Sequence, residues 1–249
     1  MGQLADGPVT TSVDSGVGIV SFRHPQSNNA LDAETVPLLE TALLDLSANP
    51  SVKAIVLEGL PDVFCSGASR ELLLALAKGQ HSPVDLLLPK RLLDLPVPVI
   101  AAMAGHAVGG GFALGVCADV VLLGRESRYG LSFMNFGFTP GMGTTRLLEH
   151  VLSPAIAHEL MYTGQNVRGA EFEGKSGFNY ILPKQAVVPK AREIADRIAA
   201  KPRPALELLK RTLSLGKRQC FESTFTVETL MHQVTLRGID VERLIEEEF

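Results

Sequence analysis

Residues 105–112 read Gly-His-Ala-Val-Gly-Gly-Gly-Phe, and residues 64–69 read Phe-Cys-Ser-Gly-Ala-Ser. Each stretch follows an apolar, β-branched run and leads into a helix-like run. Each therefore predicts a strand that ends in a tight glycine turn and enters a helix. In the first, three consecutive glycines let the backbone approach a ligand with no Cβ in the way. The Gly110 N–H then stands at a helix start, without an intrahelical acceptor and at the positive end of the dipole. In the second, the chain turns at Gly67, and the Ala68 N–H is expected among the first of a helix from Ala68 to Ala77. Two such N–H groups converging on one point would form an oxyanion hole, each donor worth a factor of about 10²–10³ in rate. One glycine cluster alone is better read as close helix–strand packing. The pair points to function.

Outward from these turns, strand-like and helix-like segments alternate. Val9–Val13 and Val17–Phe22 read as two strands joined by a turn at Asp14, Ser15 and Gly16. Val36, Leu39, Leu43 and Leu46 mark a helix, with Thr35 as its cap and Pro37 in its first turn. Val52–Leu57, Val63–Ser66, Val97–Ala104 and Asp119–Leu123 read as strands, and Val84–Leu93 as a helix. Beyond Gly143 helical periodicity dominates: Thr145–Val151, Pro154–Tyr162, Val187–Ala200, Pro204–Leu215 and Cys220–Leu236. This order predicts an α/β body of parallel or mixed sheets, followed by a helical C-terminal region.

The bulk properties narrow the class. A length of 249 residues fits one domain or one domain with an appendage. A net charge of −4 argues against a general nucleic-acid binder. No apolar run approaches the roughly 20 residues that span a bilayer, and residues 1–10 have no signal-peptide pattern. Cys65, Cys117 and Cys220 form no CxxC and no metal spacing, so reduced thiols in a cytoplasm are expected. No HExxH or similar histidine pattern occurs.

The motifs together resemble the crotonase (enoyl-CoA hydratase/isomerase) superfamily. FCSGAS and GHAVGGGFALG resemble its two oxyanion segments, and FGFTPGMGTTRLL its PGxGxT stretch. Asn29-Ala30-Leu31-Asp32 resembles its NALD segment, and Tyr162-Thr163-Gly164 its later TG segment. The resemblance implies a crotonase-type spiral of ββα turns over residues 1–190 and a helical trimerisation region over 191–249. It implies a homotrimer or a dimer of trimers, with no nucleic-acid or membrane partner. The ligand would be an acyl thioester on coenzyme A or an acyl carrier protein, its phosphopantetheine arm serving in place of a separate cofactor. Ala68 and Gly110 would supply the oxyanion donors, and Gly67, Gly109, Leu72, Leu76, Ala113, Phe133 and His106 would line the acyl site.

Family hydratases place one carboxylate just past the second glycine turn and another shortly before the PGxG stretch, to handle water as base and acid. Here those positions hold Ala113 and Phe133. Hydration by that route is therefore not expected. An apolar site with an intact oxyanion hole suits decarboxylation of a β,γ-unsaturated or vinylogous acid thioester, because a fixed carboxylate would repel the departing one. Residues 101–106, 135–143 and Met231-His232-Gln233-Val234-Thr235 resemble the decarboxylating crotonases of polyketide β-branching cassettes. In that subgroup a carrier-bound 3-methylglutaconyl thioester loses CO₂ to give 3-methylcrotonyl. The resemblance maps the subgroup's C-terminal histidine onto His232, an imidazole that can deliver a proton near neutral pH. Subgroup members carry a Tyr and a Lys in the helix after the first turn, where this chain has Leu72 and Leu76. Lys78 or Lys90 is then a candidate to orient the substrate carboxylate.

Plainer readings stand beside these. A lone histidine on a helix with Phe225, Leu230 and Leu236 is more often a satisfied structural residue. His106 could equally satisfy backbone. His24, His81, His150 and His158 read as surface or loop residues, and Cys65 as inert packing. Residues 169–176, GAEFEGKS, fit GxxxxGK[ST] as a spelling, but no buried strand precedes them and Glu171 and Glu173 would oppose phosphate. The pairs Lys90-Arg91, Lys210-Arg211 and Lys217-Arg218 could dock an acidic carrier domain or coenzyme A phosphates, though solvated surface is the commoner role. Two alternatives remain at this stage: another crotonase activity such as an enoyl thioester hydratase or isomerase, and a non-catalytic acyl-thioester binder.

Overall fold

In the computed structural model, residues 7–81 and 87–248 are described. Strands β1 (Val9–Asp14) and β2 (Val17–Phe22) form the opening hairpin, and β3 (Ala30–Leu31) leads to α1 (Thr35–Ala48). Then come β4 (Ala54–Glu58), β5 (Val63–Cys65), β6 (Gly67–Ala68), α2 (Arg70–Ala77) and α3 (Leu88–Asp94). Next are β7 (Val99–Met103), β8 (His106–Val108), α4 (Gly110–Val116), β9 (Val120–Gly124) and β10 (Arg128–Gly130). Helices α5 (Thr144–Leu147) and α6 (Pro154–Thr163), β11 (Asn166–Arg168) and β12 (Tyr180–Leu182) follow. The chain closes with α7 (Lys184–Ala199), α8 (Arg203–Leu213), α9 (Leu215–Thr235) and α10 (Val241–Glu248).

From β4 to β10, apart from β6, which pairs with β3 alone, successive strands alternate between two sheets. β4, β7, β9 and β12 join β1 and β2 in a sheet ordered β1-β2-β4-β7-β9-β12, parallel except for the β1–β2 hairpin. β5, β8, β10 and β11 form a second sheet ordered β11-β10-β8-β5. Each turn of chain thus lays one strand in each sheet before a helix intervenes, which is a spiral of ββα units. Small and branched side chains explain the first sheet's burial. Val17, Ile19, Ala54, Val56, Ile100, Ala102 and Leu122 face α7, whose Val187, Ala191, Ala195 and Ala199 recur every four residues along one stripe. Ile55, Leu57, Val99, Ala101 and Val121 face the main core on the other side.

Helix α7 runs through residue 190 and covers this sheet, so a division at that point cuts a helix that belongs to the body. The later helices are pinned to the body by buried cations. Lys210 is 3% exposed and its Nζ lies 2.6 Å from Asp119 Oδ2, while Lys217 donates to the Val116 and Ala118 carbonyls at the end of α4. Burial holds the Lys217 ammonium below its ordinary pKa. Neither lysine is a solvated docking charge, because each carries a structural bond. Arg203 likewise donates to the Ser47 and Val52 carbonyls.

Two expectations at element ends change. Helix α1 starts at Thr35 and is capped from Asp32, whose Oδ1 accepts the N–H groups of Glu34 and Thr35 at 3.0 and 2.7 Å. Residues 84–86 of the expected helix lie outside the described residues, and α3 occupies Leu88–Asp94.

Candidate active site

Ala68 does not begin a helix. Residues Gly67 and Ala68 pair in parallel with Ala30 and Leu31, and α2 starts at Arg70 under a Ser69 cap whose Oγ accepts the Leu72 N–H. Ser69 N donates to Leu31 O at 2.9 Å. Alternate N–H groups on a strand point to opposite sides, so the Ala68 N–H points away from β3. Ala68 lines a cavity of about 270 Å³. The reason for an available donor is therefore a strand edge rather than a helix start.

The second turn behaves as expected. Gly109 has φ +53° and ψ −123°, a conformation that a side chain would strain. Its N–H is spent on Gly130 O, and its carbonyl accepts the first helical bond from Ala113. Gly110 follows as the first residue of α4 and lines the same cavity. The two turns meet: a Cβ on Gly67 would stand 2.9 Å from Val108 O and 3.5 Å from Gly110 N. Ala68 and Gly110 thus stand on adjacent turns that line one cavity.

Across the cavity runs α9. His232 is 8% exposed and lines the cavity. Its Nε2 lies 2.8 Å from Thr139 O. A carbonyl oxygen only accepts, so Nε2 carries the proton and Nδ1 is bare in the neutral ring. Burial pushes the imidazole below its ordinary pKa, against an upward pull from the Thr139 carbonyl. The ring lies flush on Gly141, where a Cβ would come 2.2 Å from Cε1, and Phe138 meets it edge-on.

One turn earlier on the same helix stands Glu228, 2% exposed and also lining the cavity. Sequence reasoning missed it. The available signal was its spacing of four from His232, which puts both on one face. Oε2 accepts Gly143 N at 2.6 Å, while Oε1 accepts Thr145 N and Oγ1 at 3.0 and 2.6 Å. Burial raises its pKa and these three donors lower it. Both oxygens are engaged in holding the 143–145 turn, so the carboxylate acts as a clamp and is not poised to activate water. The turn places Met142, itself at φ +60°, over Gly110: a Cβ on that glycine would be 3.1 Å from Met142 Sδ.

Of the other expected lining residues, Gly67, Gly109, Leu76 and Phe133 reach the cavity. Leu72 does not; it packs into the apolar cluster between α2 and α10 around Val241 and Ile245. Ala113 does not either, being fully buried inside α4. His106 stands outside the cavity, exposed, with Nδ1 accepting the Arg128 N–H. Of the two roles weighed for it, the backbone one holds. Lys78 and Lys90 pair with Glu242 and Asp94 on the surface, and among the described residues no Lys or Arg lines the cavity. Cys65 is inert packing: burial pushes its thiol up to about 12. Gly169 and Ala170 spend their N–H groups on Ser127 and Arg125 carbonyls, so residues 169–176 form no phosphate cradle.

The enoyl-CoA hydratase/isomerase family model matches residues 12–245. The chain belongs to the enoyl-CoA hydratase/isomerase family. It is 36% identical over 233 residues, 94% of each chain, to bacillaene synthase decarboxylase PksI of Bacillus subtilis (strain 168). Its fold matches, at TM-score 0.93 and 35% identity, a structure from a dehydratase/decarboxylase enzyme couple involved in polyketide β-branching, covering 97% of this chain and 96% of that one. It also matches the ECH2 decarboxylase domain of CurF from Lyngbya majuscula at TM-score 0.91 and 33% identity, covering 98% and 100%. The chain is thus an enzyme of this family, and it groups with decarboxylases, which are lyases.

Proposed function

We propose that this enzyme decarboxylates a 3-methylglutaconyl-type acyl thioester, carried on an acyl carrier protein or coenzyme A, to 3-methylcrotonyl in polyketide β-branching. The observation that carries the reading is one cavity lined by both Ala68 and Gly110, where the only titratable lining groups, among the described residues, are a clamped Glu228 and His232. Similarity to decarboxylases of polyketide assembly supports it.

In this mechanism the thioester oxygen takes the N–H groups of Ala68 and Gly110. The bond between C4 and the carboxylate carbon breaks. Its electron pair runs through C3 and C2 to the thioester oxygen, giving a dienolate held in the oxyanion hole, and CO₂ leaves. A proton delivered to C4 by the His232 imidazolium returns the α,β-unsaturated product. His232 then regains its proton from solvent. Burial favours the neutral ring in the empty site, while the substrate's own carboxylate, entering a cavity without a cation, favours the charged one. The substrate thereby charges its own acid.

The phosphopantetheine arm supplies the thioester, and no further organic cofactor is required by these steps. The exposed apolar residues Leu208, Leu213, Leu230 and Val234 on α8 and α9 support a homotrimer built on the C-terminal helices. Nothing among the described helices is long and apolar enough to cross a membrane, and the free cysteines agree with the reducing cytoplasm proposed as its place.

A crotonyl thioester, which has no carboxylate to lose, tests the reading from the opposite side. The enzyme is expected to leave it unchanged, with no water added across the double bond. Rapid hydration would move the protein to the hydratase branch. Tight binding of both thioesters with no change in either would mark a binder.

A further inference from the structure

Two polar side chains at the cavity wall have no part in the steps above and, unlike Ser66, Asn135 and Thr229, donate to no described residue. Asn166 opens β11 opposite Gly130 of β10, and Gly130 lies opposite Val108 of β8. The Asn166 amide rests over Gly130, where a Cβ would stand 2.4 Å from Oδ1. Glycine at 130 therefore makes the room that this amide occupies. Asn166 Oδ1 is buried without a hydrogen-bond partner, although Asn166 lines the cavity. That oxygen has almost no accessible surface, so a ligand can meet this amide only through Nδ2, which donates to no described residue.

Ser132 is the second. It is 8% exposed, lines the cavity, and its hydroxyl donates to no described residue. Its Oγ is 3.6 Å from where a Gly109 Cβ would be. Gly109 N donates to Gly130 O at 2.9 Å, so Ser132 and Asn166 flank one bonded glycine pair. The next residue is Gly110, the oxyanion donor. An acyl group held by that donor would pass between them.

We infer that Ser132 and Asn166 form a neutral subsite for the carboxylate of the acyl group; this rests on the decarboxylase reading. Nδ2 of Asn166 and the hydroxyl of Ser132 are then two unused donors on residues that line one cavity. A carboxylate, with about four acceptor sites, can take both. Neutral donors also suit the chemistry. With the His232 imidazolium already present, a second, fixed cation would hold the ground-state carboxylate further and lose that interaction as charge flows to the thioester, whereas hydroxyl and amide groups orient it at less cost to the rate.

The test uses two non-reacting probes, 3-methylglutaryl-CoA and isovaleryl-CoA, which differ by one carboxylate and lack the double bond that decarboxylation needs. Titration calorimetry on the full chain is expected to favour 3-methylglutaryl-CoA by about tenfold or more. Ser132→Ala and Asn166→Leu should each reduce that ratio several-fold. Asn166→Asp, which sets like charges together, should invert it. Binding of isovaleryl-CoA by each variant shows that the pocket is folded. Equal affinities in the unaltered protein, or a ratio that survives the substitutions, would overturn the subsite. Equal weakening of both probes would assign the two side chains to the pantetheine arm and overturn it as well. The functional reading fails separately: a preserved ratio without turnover of the unsaturated acid would sink the decarboxylase and leave the subsite, while turnover with a ratio of one would do the reverse.

Discussion

His232 donates a hydrogen bond from Nε2 to Thr139 O and lies on the bare face of Gly141. Both contacts set where the ring points, and both yield predictions. Removing the imidazole in His232→Ala should lower turnover by about 10²-fold or more, the usual share of a positioned acid, with the melting curve still cooperative. Gly141→Ala puts a methyl into the ring and should cut kcat by at least about tenfold, since small misplacements are costly; a rate equal to that of the unaltered enzyme would show that ring position is unimportant. The pH dependence has a definite sign. The acid form of His232 is required, and its pKa in the empty site lies below the ordinary value through burial. The ratio kcat/KM should therefore fall as pH rises through that lowered pKa. Because the bound carboxylate pulls the pKa upward, kcat should fall at a higher pH than kcat/KM does. Coincident profiles would contradict a substrate-charged acid. Much at this scale was readable from the sequence: the glycine turns, Gly110 and His232. Ala113 was misplaced because a residue after a glycine turn can face the site or the helix interior, and only the roll of α4 decides.

At the scale of elements, α9 is one wall of the cavity and also the strut that fixes the opposite loop. Glu228 clamps Gly143 and Thr145, His232 clamps Thr139, and Thr235 Oγ1 accepts the Thr139 N–H. Glu228→Gln places an amide donor against a backbone donor. It should lower stability by about 1–3 kcal/mol in denaturant titration and reduce kcat, because Met142 would no longer be held over Gly110. Unchanged stability and rate would remove the clamp from the account. The helices themselves were legible from apolar spacing. The placement of Ala68 was not, because the β3–β6 ladder joins residues far apart in sequence and leaves no local period. Strands β10, β11 and β12 have only three residues each, too short for alternation to register.

The whole molecule is a spiral whose last helices return to complete the site made by the first turns. Residues from β6, α4, the 132–142 loop and α9 all meet at one cavity, so the helical third is no separate appendage. Its exposed apolar face leads to a prediction at this scale. Light scattering on the purified chain should give three copies or a multiple of three, and Leu213→Asp with Val234→Asp should lower that mass. A monomer at micromolar concentration would refute the trimer. The alternation of strand and helix, and the helical end, could be read from periodicity. The distribution of strands into two sheets could not, because each ββα turn has the same local pattern whichever sheet its strands enter. The central claim is the loss of CO₂ from a carrier-bound acid, and mass spectrometry of 3-methylglutaconyl-loaded acyl carrier protein tests it most directly. The account predicts rapid loss of the mass of CO₂, abolished in His232→Ala. An intact acyl mass after prolonged incubation with the unaltered enzyme would contradict it.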